Sequence, residues 1–427
     1  MSLINDRAPL GTRDNTPVGP TADDFASRYT GIEHVFASPC ATFMTSRATP
    51  LRINGGPTLS AQVDTALKAA RASGASAPVV LGAVPFTNVG APTLAITVDY
   101  QRFGPLARTA SPGAALPDTA LPGAASRPAV FLESAGETRI VSRRAWPEPA
   151  VYEAAVDTVL GRFSPDGLGK VVLSRTLEVT ADKPLNRAQL LHRLLLKNPH
   201  GLTYAVPLPE SDQAGVPGVF IGASPELLVR RIGTRVFLNP LAGSAPRRHD
   251  PEHDQRTATE LMNSPKDLAE HAIVIDAIAH VLRPLCKTLM VPSGPSLTAT
   301  DALWHLSTVI EGELSDGAFT ALDLACALHP TPAVCGHPLR TAQAAIAELE
   351  PFDRGLFAGF VGWMDENGDG EWAVTLRCAK VIGTQAVLYA GAGIVPGSVP
   401  ALETAETQTK FRTMLSAMGL DTTLAHG

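Results

Sequence analysis

Glu371-Trp372-Ala373-Val374-Thr375-Leu376-Arg377-Cys378-Ala379-Lys380, followed by Tyr389-Ala390-Gly391-Ala392-Gly393-Ile394-Val395-Pro396, decides how this chain is read. The block predicts a strand, a turn, a second strand and then a glycine-opened loop. Alternation along the strand-like segment groups Arg377 with Thr375 and Ala379. The glycines of the loop let backbone N–H groups approach an anion, and the next helix carries Glu403, Glu406 and Lys410 on one face. A cationic fork, bare amides and paired carboxylates together point to a small carboxylate held with a metal ion.

The rest of the chain bounds the setting. Its 427 residues are 45% hydrophobic, enough for a large core in one big domain or two closely joined halves. Thirty-five basic against 41 acidic residues give a net charge of −6, so no excess of positive charge favours nucleic acid or an anionic membrane surface. No 18-residue apolar run occurs, and Asp6, Arg7, Arg13 and Asp14 stand where a signal peptide needs an apolar core, so a cytoplasmic protein is expected. Cys40, Cys286, Cys326, Cys335 and Cys378 form no Cys-x-x-Cys pair and read as reduced, small core residues.

Residues 1–30 read as a loose lead-in, with core sequence starting near Phe36. Residues 31–134 form an N-terminal part of the fold. It holds a helical stretch from Leu59 to Ala72, a buried strand at Pro78 to Val84, and an Ala/Pro/Gly-rich surface loop at about 107–126. Residues 135–427 carry the motifs. There Lys170 to Val179 reads as a strand, and Phe220 to Leu228 with Arg235 to Leu238 as a hairpin turning at Gly233. Ser264-Pro265-Lys266-Asp267 opens a helix running to about Cys286, and Pro400 opens another leading to Leu420. Long antiparallel strands are the expected scaffold.

Five motifs stand in order before the opening block: Lys170-Val171-Val172-Leu173-Ser174-Arg175, Gly222-Ala223-Ser224-Pro225-Glu226-Leu227, Pro240-Leu241-Ala242-Gly243-Ser244, Leu303-Trp304-His305-Leu306 and Leu328-His329-Pro330-Thr331-Pro332-Ala333. With that block they resemble the chorismate-utilising enzymes, the family of anthranilate, aminodeoxychorismate, isochorismate and salicylate synthases, from about residue 135 to the end. The wording of the motifs is most similar to the isochorismate synthase branch. The resemblance implies an α+β fold with antiparallel β-sheets flanked by helices, chorismate as substrate and Mg²⁺ as cofactor.

Each candidate residue has a plainer reading beside the implied one. Asp267 and Glu270 share a helical face and could merely favour the helix dipole; the resemblance makes Glu270 a magnesium ligand. Glu406 and Lys410 have the spacing of a surface ion pair; the resemblance makes Glu406 the second magnesium ligand, Lys410 a contact to a substrate carboxylate and Glu403 a supporting acid. Two carboxylates and waters suit Mg²⁺. Arg377 and the Gly391 backbone correspond to contacts to the enolpyruvyl carboxylate, Gly243 to a backbone contact within the Leu241-Ala242-Gly243-Ser244 segment, and Ala333 to a position lining the substrate. Ser244 is taken with Gly243.

Lys170 could snorkel to water from a strand end, and Glu226 could be an exposed strand-start acid. By resemblance the lysine activates water and the glutamate protonates the leaving hydroxyl. Each ordinarily has the wrong charge state for that work, so a lowered lysine pKa and a raised glutamate pKa are expected. His305 and His329 are read as hydrogen-bonded structural residues. Asp365 to Gly370 opens like a calcium loop but has Leu376 at its twelfth position, so it reads as a hairpin turn. Gly391-Ala392-Gly393 lacks the third glycine of a dinucleotide fingerprint, and His249 with His253 lacks a zinc pattern.

The implied activity is isomerisation of chorismate to isochorismate for a siderophore, salicylate or menaquinone. Salicylate synthase is the nearest alternative. An ammonia-using synthase is disfavoured by Lys170; no glutaminase segment or subunit is expected. A non-catalytic chorismate-binding regulator would have no reason to keep Lys170, Glu226, Glu270 and Glu406 together. The sequence carries no signal of oligomeric state.

Overall fold

The computed structural model describes residues 19–87, 90–106, 138–164, 167–209, 217–248, 250–300 and 302–420. The Ala/Pro/Gly-rich loop and residues 1–18 lie outside them. The fold is α+β: among the described residues seventeen strands join one large sheet system, three more form a separate sheet, and helices flank both. The pairs that build the site are antiparallel.

N-terminal strands are built into the same sheet system as the motif-bearing region. Val79–Val84 pairs along Phe360–Asp365, and Val35–Ala37 lies between Thr42–Pro50 and Leu202–Leu208. Two apolar cores result. One gathers Phe43, Leu67, Phe360, Trp363 and Trp372, the other Phe25, Leu191, Leu194, Phe411 and Met414. The neighbouring strands Lys170–Ala181 and Gln385–Ile394 serve both. Val171 and Leu173 enter the first core and Leu177 and Val179 the second, while Leu388 and Ala390 enter the second and Ala392 and Ile394 the first. Gly391 sits where its strand crosses from one core to the other.

Local chemistry sets the elements as the sequence predicts in several places. The helix Leu59–Ala72 is capped by Thr58, and Pro265–Leu282 by Ser264, whose hydroxyl accepts the Asp267 N–H at 3.3 Å with Pro265 at the first turn. The Asp365 carboxylate accepts the N–H groups of Asn367 and Asp369, closing the expected hairpin between Phe360–Asp365 and Gly370–Val374. A second hairpin turns at Gly233, whose φ is +59°.

Other expectations are corrected. The lead-in already contains a helix, Ala22–Arg28, because Ala22 and Phe25 are buried in the second core; core sequence therefore starts before Phe36. The run from Phe220 to Leu228 is two strands, Gly218–Ser224 and Leu227–Ile232, since Pro225 offers no ladder N–H. The helix after Ser264 ends at Leu282, and Cys286 opens a strand instead. The glycine-rich stretch after Tyr389 is strand up to Ile394, and the last helix is Pro400–Ala417. Cys335 and Cys378 are buried, but Cys326 is exposed.

Candidate active site

Two adjacent strands are interrupted at the same level. Gly218–Ser224 and Leu227–Ile232 leave Pro225 and Glu226 between them, and their partners Cys378–Ile382 and Gly370–Val374 leave Thr375, Leu376 and Arg377. The breaks are stitched together by Val374 N–H to the Glu226 carbonyl at 3.1 Å and Ala223 N–H to the Arg377 carbonyl at 3.2 Å. Freed from the ladder, Glu226 and Arg377 both line one cleft. Arg377 has φ +49°, so it does not alternate with Thr375 and Ala379 as the sequence predicts. The cavity within this cleft is about 80 Å³, narrow and lined by charged side chains from both walls.

Lys170 is fully buried and does not snorkel. Its end of the strand is roofed by the short Gly336–His337 strand, which approaches so closely that a Cβ on Gly336 would stand 2.2 Å from the Lys170 carbonyl. The Lys170 Nζ lies 2.9 Å from Glu270 Oε1, an ion-pair contact whose angles fall short of a hydrogen bond. Glu270 lines the cleft, so the lysine stands behind it. Gly393 makes room for the pair: a Cβ there would lie 2.2 Å from Glu270 Oε1 and 3.2 Å from Lys170 Cε.

On the far wall Lys410 donates to Glu406 at 2.6 Å and to the Gly391 carbonyl at 2.7 Å. Gly391 thus meets the site from within a strand, its carbonyl already engaged by the lysine, and a Cβ on it would lie 2.6 Å from Ser174 Oγ. Glu403 is buried and accepts from Lys266 at 3.1 Å. Acidic crowding shows in the charges. Burial, then Glu406, raises the Glu403 pKa; burial raises that of Asp267, helped by Glu270 and Glu406. Burial acts to raise Glu406 as well, but Lys410 together with Lys266 and Arg377 outweighs it and the carboxyl sits below its ordinary value.

Gly243, at φ +82°, Ser244 and Ala333 line the same cleft. A Cβ on Gly243 would come 3.2 Å from the Asp267 Cβ. Of the site residues singled out in the sequence, the cleft brings together all except Lys170, which adjoins it through Glu270 and Gly393, and the supporting acid Glu403, which is buried outside its lining.

Glu226 is buried rather than exposed. Burial pushes its carboxyl up to about 8, against the pull of Lys170, the Leu241 N–H, Lys410 and Arg377. This is the raised glutamate expected from the sequence.

His329 is structural as expected, its Nε2 against the Phe86 carbonyl at 3.1 Å. His305 differs: it lines the cleft opposite Ser244 in the register of the three-stranded sheet, and its Nε2 has no hydrogen-bond partner among the described residues. Burial, then Arg377 and Lys410, hold its pKa well below the ordinary value, so it offers a neutral imidazole. Alternation groups His305 with Leu303 and Ser307, which gives it no distinguishing neighbour; only its place in a family motif could have flagged it. Lys266, on Glu403, was likewise passed over as a helix-start residue. Of the signals set aside in the sequence, Gly391-Ala392-Gly393 is strand, His253 is exposed and His249 lies outside the described residues.

Fold and cleft together fit one class of protein. Residues 129–419 match the chorismate binding enzyme family, and the chain belongs to it. Within that class the chain is 48% identical over 364 residues to isochorismate synthase DhbC of Bacillus subtilis, covering 85% of this chain and 86% of that one. It is 42% identical over 351 residues to isochorismate synthase EntC of Escherichia coli K12, covering 82% and 84%. Among solved structures it superposes with a TM-score of 0.82 at 39% identity on a Bacillus anthracis chain assigned as 2,3-dihydroxybenzoate-specific isochorismate synthase DhbC, covering 94% of this chain and 100% of that one.

Proposed function

We propose that this chain is an isochorismate synthase that isomerises chorismate by adding water at C2 and releasing the C4 hydroxyl. The observation that carries the reading is a buried carboxylic acid held near pKa 8, Glu226, on the same cleft as a buried lysine–glutamate pair, Lys170 with Glu270. Support also comes from the relatives, isochorismate synthases over most of their length.

In this reading Arg377 takes the enolpyruvyl carboxylate as a planar fork, with the Gly391 backbone beside it. Lys410, Gly243 and Ser244 position the ring and its carboxylate, and Ala333 lines the ring. Lys170 accepts a proton from the water that attacks C2. Glu226 gives its proton to the C4 hydroxyl, which departs as water, so the ring exchanges one hydroxyl for another and its formula is unchanged. Exchange with solvent then returns a proton to Glu226 and removes one from Lys170. The neutral His305 Nε2 faces the same space and can hydrogen-bond the bound substrate.

The carboxylates fit a magnesium ion. Among the described residues no cluster of three or more His, Cys, Asp or Glu could cage an ion. Mg²⁺ instead takes one or two carboxylates together with substrate and waters, and Glu270 and Glu406 line one cleft, near Asp267 and Glu403, whose pKa values are raised by burial first, with the neighbouring acids adding to it. Glu270 and Glu406 would hold it, and it would supply a positive charge to the ring carboxylate.

The product would feed a siderophore, salicylate-derived or menaquinone pathway, and five unpaired cysteines suit a reducing cytoplasm. Among the described residues no helix is long and apolar enough to cross a membrane. The test is incubation with chorismate, with and without Mg²⁺ and ammonium, resolving products by chromatography and mass. Isochorismate alone, dependent on Mg²⁺ and indifferent to ammonium, is expected. Salicylate with pyruvate, an aminated product or unchanged chorismate would overturn the reading.

A further inference from the structure

We propose that Tyr204 is a positioning residue for Arg377: its phenol, reaching across a neighbouring strand, locks the left-handed turn that aims the guanidinium into the cleft. Tyr204, Gly222 and Cys378 lie in one row across three strands, with Tyr204 opposite Gly222 and Gly222 opposite Cys378. The fully buried phenol passes over the glycine and donates to the Leu376 carbonyl at 3.1 Å, one residue before Arg377.

Gly222 is what allows the crossing. A Cβ there would stand 2.7 Å from the Tyr204 hydroxyl and 2.8 Å from both the Arg377 carbonyl and the Cys378 Cβ. At φ +49° Arg377 occupies a sparsely populated region that persists only where the surroundings over-determine it. Other contacts hold the same break, among them the backbone bonds from Thr375 N–H to the Gly359 carbonyl at 2.9 Å, Ala358 N–H to the Thr375 carbonyl at 3.0 Å and Ala223 N–H to the Arg377 carbonyl at 3.2 Å, and the hydroxyl of Thr375, two residues before Arg377, on the Leu356 carbonyl. Tyr204 supplies a side-chain bond at the carbonyl that precedes the strained residue, and burial keeps its hydroxyl protonated as a donor.

The inference rests on Arg377 as the contact for the second carboxylate, and its test separates that premise from turnover. Calorimetric affinities would be measured for two unreactive probes. Benzoate has a ring carboxylate alone, whereas the meta isomer of (carboxymethoxy)benzoate adds a second carboxylate on an ether arm. Tyr204→Phe should weaken the dicarboxylate about three- to tenfold, the weight of one hydrogen bond, and leave benzoate within about twofold. In an Arg377→Ala background the same change should cost the dicarboxylate nothing further.

Equal weakening of both probes, no change in either, or a full additional loss without Arg377 would overturn the role. If Tyr204→Phe does not fold, Gly222→Ala, which wedges a methyl group between phenol and turn, carries the same prediction. Failure of the wild-type chain to convert chorismate would count against the proposed function alone, because the split between the probes is read by binding.

Discussion

At neutral pH a carboxyl group with a pKa of about 8 still holds its proton, and Glu226 is such a group because burial outweighs the cations around it. An acid must carry its proton to donate it, so the high-pH arm of the turnover profile, which Glu226 governs, should fall as pH rises through about 8. A kcat profile flat across that range, with chemistry rate-limiting, would remove Glu226 as the acid. Lys170→Ala should lower kcat about 10²–10⁴-fold with chorismate binding largely kept, since the carboxylate contacts are separate groups. Glu406→Ala should instead lose Mg²⁺ affinity and chorismate affinity together, read by calorimetry; unchanged Mg²⁺ dependence would exclude it as a ligand. Lys170, Glu226, Glu270 and Glu406 could all be picked out of the sequence, but only by their place in ordered motifs: as isolated side chains, each has an ordinary surface explanation. Arg377 was singled out and does line the cleft, but it was oriented wrongly, because Val-Thr-Leu-Arg-Cys looks like continuous strand and nothing local announces a positive φ.

Among the elements, the helix Pro265–Leu282 brings Glu270 and the strand Lys170–Ala181 brings Lys170 to one wall, while the helix Pro400–Ala417 brings Glu406 to the other. Ser264→Ala removes the cap of the helix that bears Glu270 and should cost about 1 kcal/mol of stability, measured by denaturant titration. Gly393→Ala should be more harmful to function than to folding. Its Cβ would strike the Glu270 carboxylate, so Mg²⁺ affinity should fall while the far-ultraviolet spectrum is kept; a variant with wild-type Mg²⁺ affinity would show that the glycine is not needed there. The helix starts were legible because capping is local chemistry. The glycine strand was misread as a loop because glycine usually punctuates structure, whereas here it admits Glu270 and Ser174 from neighbouring elements.

For the whole molecule, two cores meet along the strands Lys170–Ala181 and Gln385–Ile394, and the cleft opens beside that meeting. The motif-bearing region announced its own fold through the resemblance, yet the pairing of Val79–Val84 with Phe360–Asp365 could not be read from either segment. Both are apolar runs, and such a run names no partner hundreds of residues away. The central claim is that Lys170 and Glu226 exchange one ring hydroxyl for a hydroxyl taken from water. Turnover of chorismate in water enriched in the heavy oxygen isotope, with mass analysis of the product, tests it most directly. One heavy oxygen at C2 of isochorismate is predicted; isochorismate formed without the label would contradict the account.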